Sequence, residues 1–202
     1  MRISGGTAKG RKVGNRKAFV AKGDSDELRP TAAKVRQAIF NIVAGMTDGC
    51  RFLDLYAGTG AVGIEALSRG AQQAVFVENS AQRCSFIRDI ADKFGLAVRA
   101  SVVKAEAGEF LKKNSMPFDI IFIDPPYASD ELLSALRLID TLLPVSENGV
   151  VIAEHSSKRA LSLFMINLQP RKSYKYGDTA LTVYERKPRQ ADEMVSEAPI
   201  KV

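Results

Sequence analysis

Phe52-Leu53-Asp54-Leu55-Tyr56-Ala57-Gly58-Thr59-Gly60 is the stretch on which the reading of this chain turns. Its first half is an apolar run from Phe52 to Tyr56, as expected of a strand buried on both faces. Its second half is small residues and glycine, which permit a tight turn and a close backbone approach to a ligand. Beyond it, Ile64, Glu65, Ala66 and Leu67 read as a helix that stops near Gly70. A buried strand that turns through glycine into a helix is the opening unit of an α/β fold.

The same alternation continues outward. Strands are expected at 74–78, 98–103, 118–124 and 149–154, and helices at 80–94, 106–113 and 130–143. Upstream, Pro30 disfavours a helical Arg29 and Thr31 can cap the amides that follow. Val35, Ile39, Ile42 and Val43 then recur at helical spacing, giving an amphipathic helix to about residue 44. The end of the chain differs: the runs 171–176 and 179–186 flank Gly177-Asp178, a hairpin signal. A mostly parallel sheet finished by an antiparallel hairpin is therefore predicted for residues 29–186. Residues 1–28 read as a small basic hairpin or partly flexible arm, and 187–202 as a polar, frayed tail.

Charge divides unevenly. Residues 1–36 hold ten Lys or Arg against three acids, a net +7, and the other 166 residues balance to −1. A basic arm on a near-neutral body suits a phosphate backbone, although a merely solubilising tail has the same composition. With 46% apolar and 26% charged residues the composition is that of a soluble globular chain. No apolar run approaches the roughly 20 residues that span a bilayer, and Met1-Arg2-Ile3-Ser4-Gly5-Gly6 lacks a hydrophobic export core. Only Cys50 and Cys84 occur, with no CxxC pair, and His155 is the sole histidine. A disulfide framework and a metal centre are therefore not expected, and a reducing cytoplasm is.

Glu78 ends the second predicted strand, 20 residues after Gly58. A carboxylate there reaches a ligand at the carboxyl edge of the sheet, where it can accept from both ribose hydroxyls of an adenosine. Gly58-Thr59-Gly60-Ala61-Val62-Gly63 also satisfies the G-x-G-x-x-G pattern of dinucleotide-binding folds. Asp54 favours the other reading: a carboxylate before the loop is unfavourable beside a pyrophosphate but favourable beside an ammonium group.

Asp124-Pro125-Pro126-Tyr127 closes the fourth predicted strand at that same edge. Two prolines stiffen the backbone and remove two N–H donors, leaving carbonyl acceptors beside the Asp124 carboxylate. An exocyclic base NH2 needs such a cluster. Its lone pair is delocalised into the ring, and acceptors on its hydrogens let the nitrogen pyramidalise and attack. Tyr127 offers a flat face for an extruded base, worth about 1–3 kcal/mol.

These residues resemble the amino-methyltransferases. In detail, Met1-Arg2-Ile3, Gly6, Gly10-Arg11, Arg29-Pro30-Thr31, Val35-Arg36, Phe40-Asn41, Asp54–Gly60, Glu65–Ala71, Val77-Glu78, Asp124–Tyr127 and Tyr176-Gly177 resemble the bacterial family that methylates guanine N2 in small-subunit ribosomal RNA. The resemblance implies a seven-stranded class I methyltransferase (Rossmann-like) fold and S-adenosylmethionine as donor. It implies a guanine of 16S ribosomal RNA as acceptor, within the small subunit or its assembly intermediate; a monomer is expected. The family usually has Phe at the place of Tyr56 and often Ser at that of Thr59.

The resemblance assigns Asp124, Pro125, Pro126 and Tyr127 to catalysis. It assigns Asp54, Tyr56, Ala57, Gly58, Thr59, Gly60, Glu78 and Asn79 to the donor, with Ala105 and Glu106 taken for the adenine contact. Arg2, Lys9, Arg11, Lys12, Arg29, Thr31 and Arg36 are expected to grip RNA beside the pocket. DNA amino-methylation and protein glutamine methylation use the same tetrapeptide and stand as alternatives. A non-catalytic RNA-assembly factor would keep the arm and loop but has no use for residues 124–127. His155 is expected to be a strand-end residue, Cys84 to pack, and Arg69 to complement a helix dipole.

Overall fold

The computed structural model describes residues 2–13, 30–126, 130–159, 161 and 163–188, and of residues 30–32 the backbone alone. The elements are α1 (Pro30–Ile42), β1 (Arg51–Asp54), α2 (Ala61–Ser68), β2 (Gln73–Glu78), α3 (Ala81–Lys93), β3 (Ala100–Lys104), α4 (Ala107–Lys113), β4 (Phe118–Ile123), α5 (Glu131–Leu142), β5 (Val145–Ser156), β6 (Leu168–Tyr176) and β7 (Thr179–Arg186). They build one seven-stranded sheet in the order β3-β2-β1-β4-β5-β7-β6. Strands β1 to β5 pair in parallel, and β7 runs antiparallel to both β5 and β6. The expected fold class is the observed one.

The apolar runs are buried because helices cover both faces. Ile120, Phe122, Phe52 and Phe76 point into one core with α1, α2 and α3. Leu53, Ile121, Ile123 and Val151 point into the other, against α4 and α5. Full burial of each such side chain contributes about 1.5–3 kcal/mol.

Some boundaries move. Val98 belongs to a single 3-10 turn, Ala97–Arg99, and is fully exposed, so the third strand begins at Ala100. The fifth begins at Val145 rather than 149, across a register shift opposite Phe118 and Ile120. Asp119 sits in that shift and explains it: its carboxylate accepts from Arg51 N–H (2.8 Å) and from the Ser146 hydroxyl (2.8 Å). His155 lies inside β5 rather than after it, its ring bonded to the Thr182 hydroxyl and the Ser156 carbonyl. Cys84 packs as expected. Lys187 is bonded to the Asn167 and Met165 carbonyls, and 189–202 lie outside the described residues.

Residues 2–13 form a small hairpin, with an antiparallel bridge between Arg2 and Lys12 and Ile3, Ala8 and Val13 in the core. It docks on the carboxyl end of α2. Thr7 N–H donates to Ser68 O (2.8 Å), Ala8 N–H to Ser68 Oγ (2.8 Å), and Ser68 Oγ to Gly5 O (2.7 Å). The rest of the arm, 14–29, lies outside the described residues.

Candidate active site

The strand order places the site. β1 and β4 are neighbours, yet the chain leaves β1 towards β2 and β3 and leaves β4 towards β5. Ligands of open α/β sheets bind at such a switch point, outside the carboxyl ends of the strands. Asp54 pairs with Phe76 on one side and Phe122 on the other, so the segments after β1, β2 and β4 emerge side by side. Glu78 is the last residue of β2, the glycine loop follows β1, and Asp124 follows β4 directly.

Within the loop, Gly58 and Gly60 adopt φ of 55° and 71°, a left-handed backbone that favours glycine. Gly58 N–H donates to Glu78 Oε2 (2.8 Å), and Ser80 N–H to Glu78 Oε1 (2.9 Å). Asp54, 2% exposed, accepts from Gly63 N–H at 3.0 Å. Burial pushes the Asp54 carboxyl up to about 7, the Gly63 amide opposing and Glu78 adding to the rise. The amides of Gly58 and Gly63 are thus both committed to carboxylates. Asp54 thus lies against the first turn of α2, beside the helix start where a pyrophosphate would sit, and its carboxyl counts against the dinucleotide reading left open by the glycine pattern.

The donor set fits S-adenosylmethionine. Glu78 has lone pairs to spare on both oxygens and could accept from a ribose diol, and the Asp54 carboxyl could hold a cationic methionine end. At the tips of β2 and β3, Asn79 Nδ2 donates to Glu106 Oε1 (3.3 Å) and Ala105 N–H to Glu78 O (3.2 Å). Glu106 occupies the cap position of α4 without bonding its amides, and its carboxylate is instead taken by Asn79. Tyr56 is half-buried; its hydroxyl is bonded to Glu131, and burial with the nearby Glu131 and Glu106 charges raises its pKa. Glu131, the first residue of α5, was not singled out from sequence; its only signal is an acid in the first helical turn after the tetrapeptide.

Of the tetrapeptide, Asp124 and Pro126 are exposed and Pro125 is buried, while Tyr127 lies outside the described residues. Leu55 N–H donates to Phe122 O (3.0 Å), which holds the chain leading to Asp124 against the start of the glycine loop. Among the described residues no cluster of His, Cys, Asp and Glu could hold a metal ion.

The basic residues divide. Arg2, Lys9, Arg11 and Lys12 are exposed on the hairpin, Arg11 stacking over Phe94 at 5.5 Å. Arg36 does not join them. It is 5% exposed, pairs with Glu65 at 2.6 Å and donates to Arg2 O, so it faces inward and is withdrawn from the RNA-contacting set. Arg29 and the Thr31 side chain lie outside the described residues. Position also changes: the hairpin caps the carboxyl end of α2, and eight helical residues put it about 12 Å from the glycine loop. The described part of the arm is therefore behind the cleft rather than beside it.

A Rossmann-like sheet with a hairpin appended, a glycine loop flanked by two carboxylates and Asp124-Pro125-Pro126 one strand away define an S-adenosylmethionine-dependent methyltransferase of class I. The chain belongs to the family described as Conserved hypothetical protein 95, whose model matches residues 1–185. It is 34% identical to YlbH of Bacillus subtilis over 190 residues, 93% of this chain and 100% of that one. It is 31% identical over 187 residues to ribosomal RNA small subunit methyltransferase D of Escherichia coli, covering 92% and 90% of the two chains. Among solved structures, yhhF from Escherichia coli matches with a TM-score of 0.79 at 27% identity, over 93% of this chain and 98% of that one.

Proposed function

We propose that this protein transfers a methyl group from S-adenosylmethionine to the exocyclic N2 amine of a guanine in 16S ribosomal RNA, acting as a cytoplasmic monomer on the small subunit or its assembly intermediate. The observation that carries the reading is Asp124, exposed at the end of β4 one strand from the Glu78-tethered glycine loop. The names of its relatives, ribosomal RNA small subunit methyltransferase D among them, support the acceptor class.

When bound, the donor supplies an electrophilic methyl on a good leaving group. The protein's task is placement. Glu78 takes the ribose, Asp54 and the loop the methionine end, and Asn79 and Glu106 the adenine side. Asp124 and the Pro125 carbonyl accept the two amine hydrogens, turning the nitrogen lone pair towards the methyl, while Tyr127 stacks the extruded base. Most of the acceleration then comes from holding two reactants within near-attack distance.

The deciding experiment supplies labelled donor to small subunits that lack the modification and maps the methylated base. Label at N2 of one guanine in 16S RNA is the expected result. Label on DNA, or on a protein glutamine, would overturn the assignment.

A further inference from the structure

β6 is the open edge of the sheet, and it carries a pattern that the active site does not use. Arg171, Lys172 and Lys175 are exposed on it, with Tyr174 half-buried between them and Tyr176 half-buried beyond. Lys172 pairs with Val183 and Tyr174 with Leu181, both in the core shared with α1, so this part of β6 looks to the α1 face. Between it and the end of α1 lies a shallow, open hollow. Ile42, Met46, Val150 and Val183 floor it, Tyr174 walls it, and Arg171 and Lys172 stand at its rim. Lys172 Nζ is 5.1 Å from the centre of the Tyr174 ring, and Arg171 lies 3.8 Å from Glu185 in an open ion pair.

We infer that this hollow is a second contact for the substrate RNA, taking one unpaired base against Tyr174 while Arg171 and Lys172 hold the flanking phosphates. The inference rests on the proposed RNA substrate. An apolar floor, one aromatic wall and a cationic rim are what an unstacked nucleotide requires, and a duplex cannot present its bases this way. β6 stands three strand spacings from β4, about 14 Å along the sheet. A strand of RNA reaching the hollow therefore touches the protein well outside the acceptor cleft. The flank of the target would then be read as well as the target itself.

The test replaces residues on the exposed rim, where folding is not at risk. Arg171→Glu with Lys172→Glu should raise KM for small subunits about tenfold and leave kcat at saturation and donor Kd unchanged. On a 12-nucleotide single-stranded RNA, the salt slope of binding should fall by between one and two, as expected for two lost phosphate contacts. Tyr174→Ala should weaken that RNA at least fivefold with the slope intact, and Tyr174→Phe should restore it. If the parent protein methylates RNA and the double charge reversal behaves identically, the hollow is no RNA site and this inference alone fails. If the parent binds no RNA, the substrate assignment fails with it.

Discussion

Arg36 and Glu65 meet at 2.6 Å with 5% and 0% of their side chains exposed, and three separate parts of the chain are gathered on that one carboxylate. Arg36 comes from α1. Arg69 reaches the other oxygen at 2.8 Å from the end of α2, lying also over the Phe40 ring, and the Ser4 hydroxyl donates to it from the amino-terminal hairpin. Arg69 thus does more than complement a helix dipole. Since α2 begins at the glycine loop, the helix that holds the hairpin also shapes the donor site.

Removing the carboxylate leaves a buried guanidinium without its partner, which costs about 3–5 kcal/mol. Glu65→Ala should lose that much in urea unfolding, and the hairpin amides of Thr7 and Ala8 should exchange hydrogen faster. A loss below 1 kcal/mol would mean that the network is incidental to the fold.

Gly63 donates to Asp54 and packs on β2 at once. A Cβ at this position would fall 2.3 Å from Cε1 of Phe76, itself fully buried. Gly63→Ala must therefore push α2 off the sheet, a clash that typically costs 1–3 kcal/mol. Gly58, by contrast, has open space around it and a φ of 55°, so Gly58→Ala costs about 1–2 kcal/mol of backbone strain. Calorimetry should show the larger fall in Tm for Gly63→Ala. Donor titration should show that Gly58→Ala weakens binding although the protein remains folded.

The strand–glycine–helix unit was legible because burial on both faces imposes an unbroken apolar run and the turn admits little but small residues. The terminal hairpin was legible from Gly177-Asp178, where Gly177 takes φ 63°. Glu65 and Arg36 were not, since an isolated acid or base on a helix looks solvated until its partner arrives from elsewhere in the chain. Val98 misled for a related reason: an apolar residue beside a strand was read into it, yet it belongs to the turn and points outward. The hairpin's basic residues were visible in composition, but only its bonds to Ser68 place them behind the cleft.

Asp54 offers a pH signature. Its carboxyl, pushed up to about 7 by burial, keeps a proton in the folded state that the unfolded chain sheds near pH 4. The folded state then binds more protons, so this group's contribution to stability is greatest below about pH 4 and is lost as pH rises towards 7. Asp54→Asn should flatten that decline in urea unfolding measured from pH 5 to pH 8. Donor binding runs the other way. An ammonium group beside Asp54 favours the ionised carboxylate, so affinity should climb between pH 6 and 8 in the parent and stay flat in Asp54→Asn. A parent affinity that does not change with pH would remove Asp54 from the donor contact.

The hairpin's share of RNA binding is open to the same kind of measurement. Arg11 and Lys12 are exposed, and their charges make no ion pair with an acid among the described residues. Replacing both by Gln should weaken binding to small-subunit RNA and lower the salt slope by up to about two. Because the hairpin stands behind the cleft, kcat at saturating RNA should not move. An unchanged slope across a salt titration would show that the hairpin only solubilises and braces α2.

In the proposed mechanism Asp124 orients the amine, and its position separates that role from the roles proposed for Glu78 and Asp54. Glu78 is bonded to the Gly58 amide of the loop and Asp54 to the Gly63 amide of α2, so replacing either disturbs the proposed donor site itself. Asp124 lies beyond β4, exposed at the sheet edge, so its carboxylate can be removed without disturbing those bonds. Asp124→Ala should therefore leave donor Kd within about twofold while kcat falls by roughly 10²–10³, the loss typical when one preorganised hydrogen-bond partner of the reacting group is removed. Asp124→Asn keeps one acceptor oxygen and should recover part of the rate. Equal loss of donor binding and of rate in Asp124→Ala would mean that the residue holds the cofactor rather than the amine, and the acceptor clamp would have to be sought elsewhere on the edge.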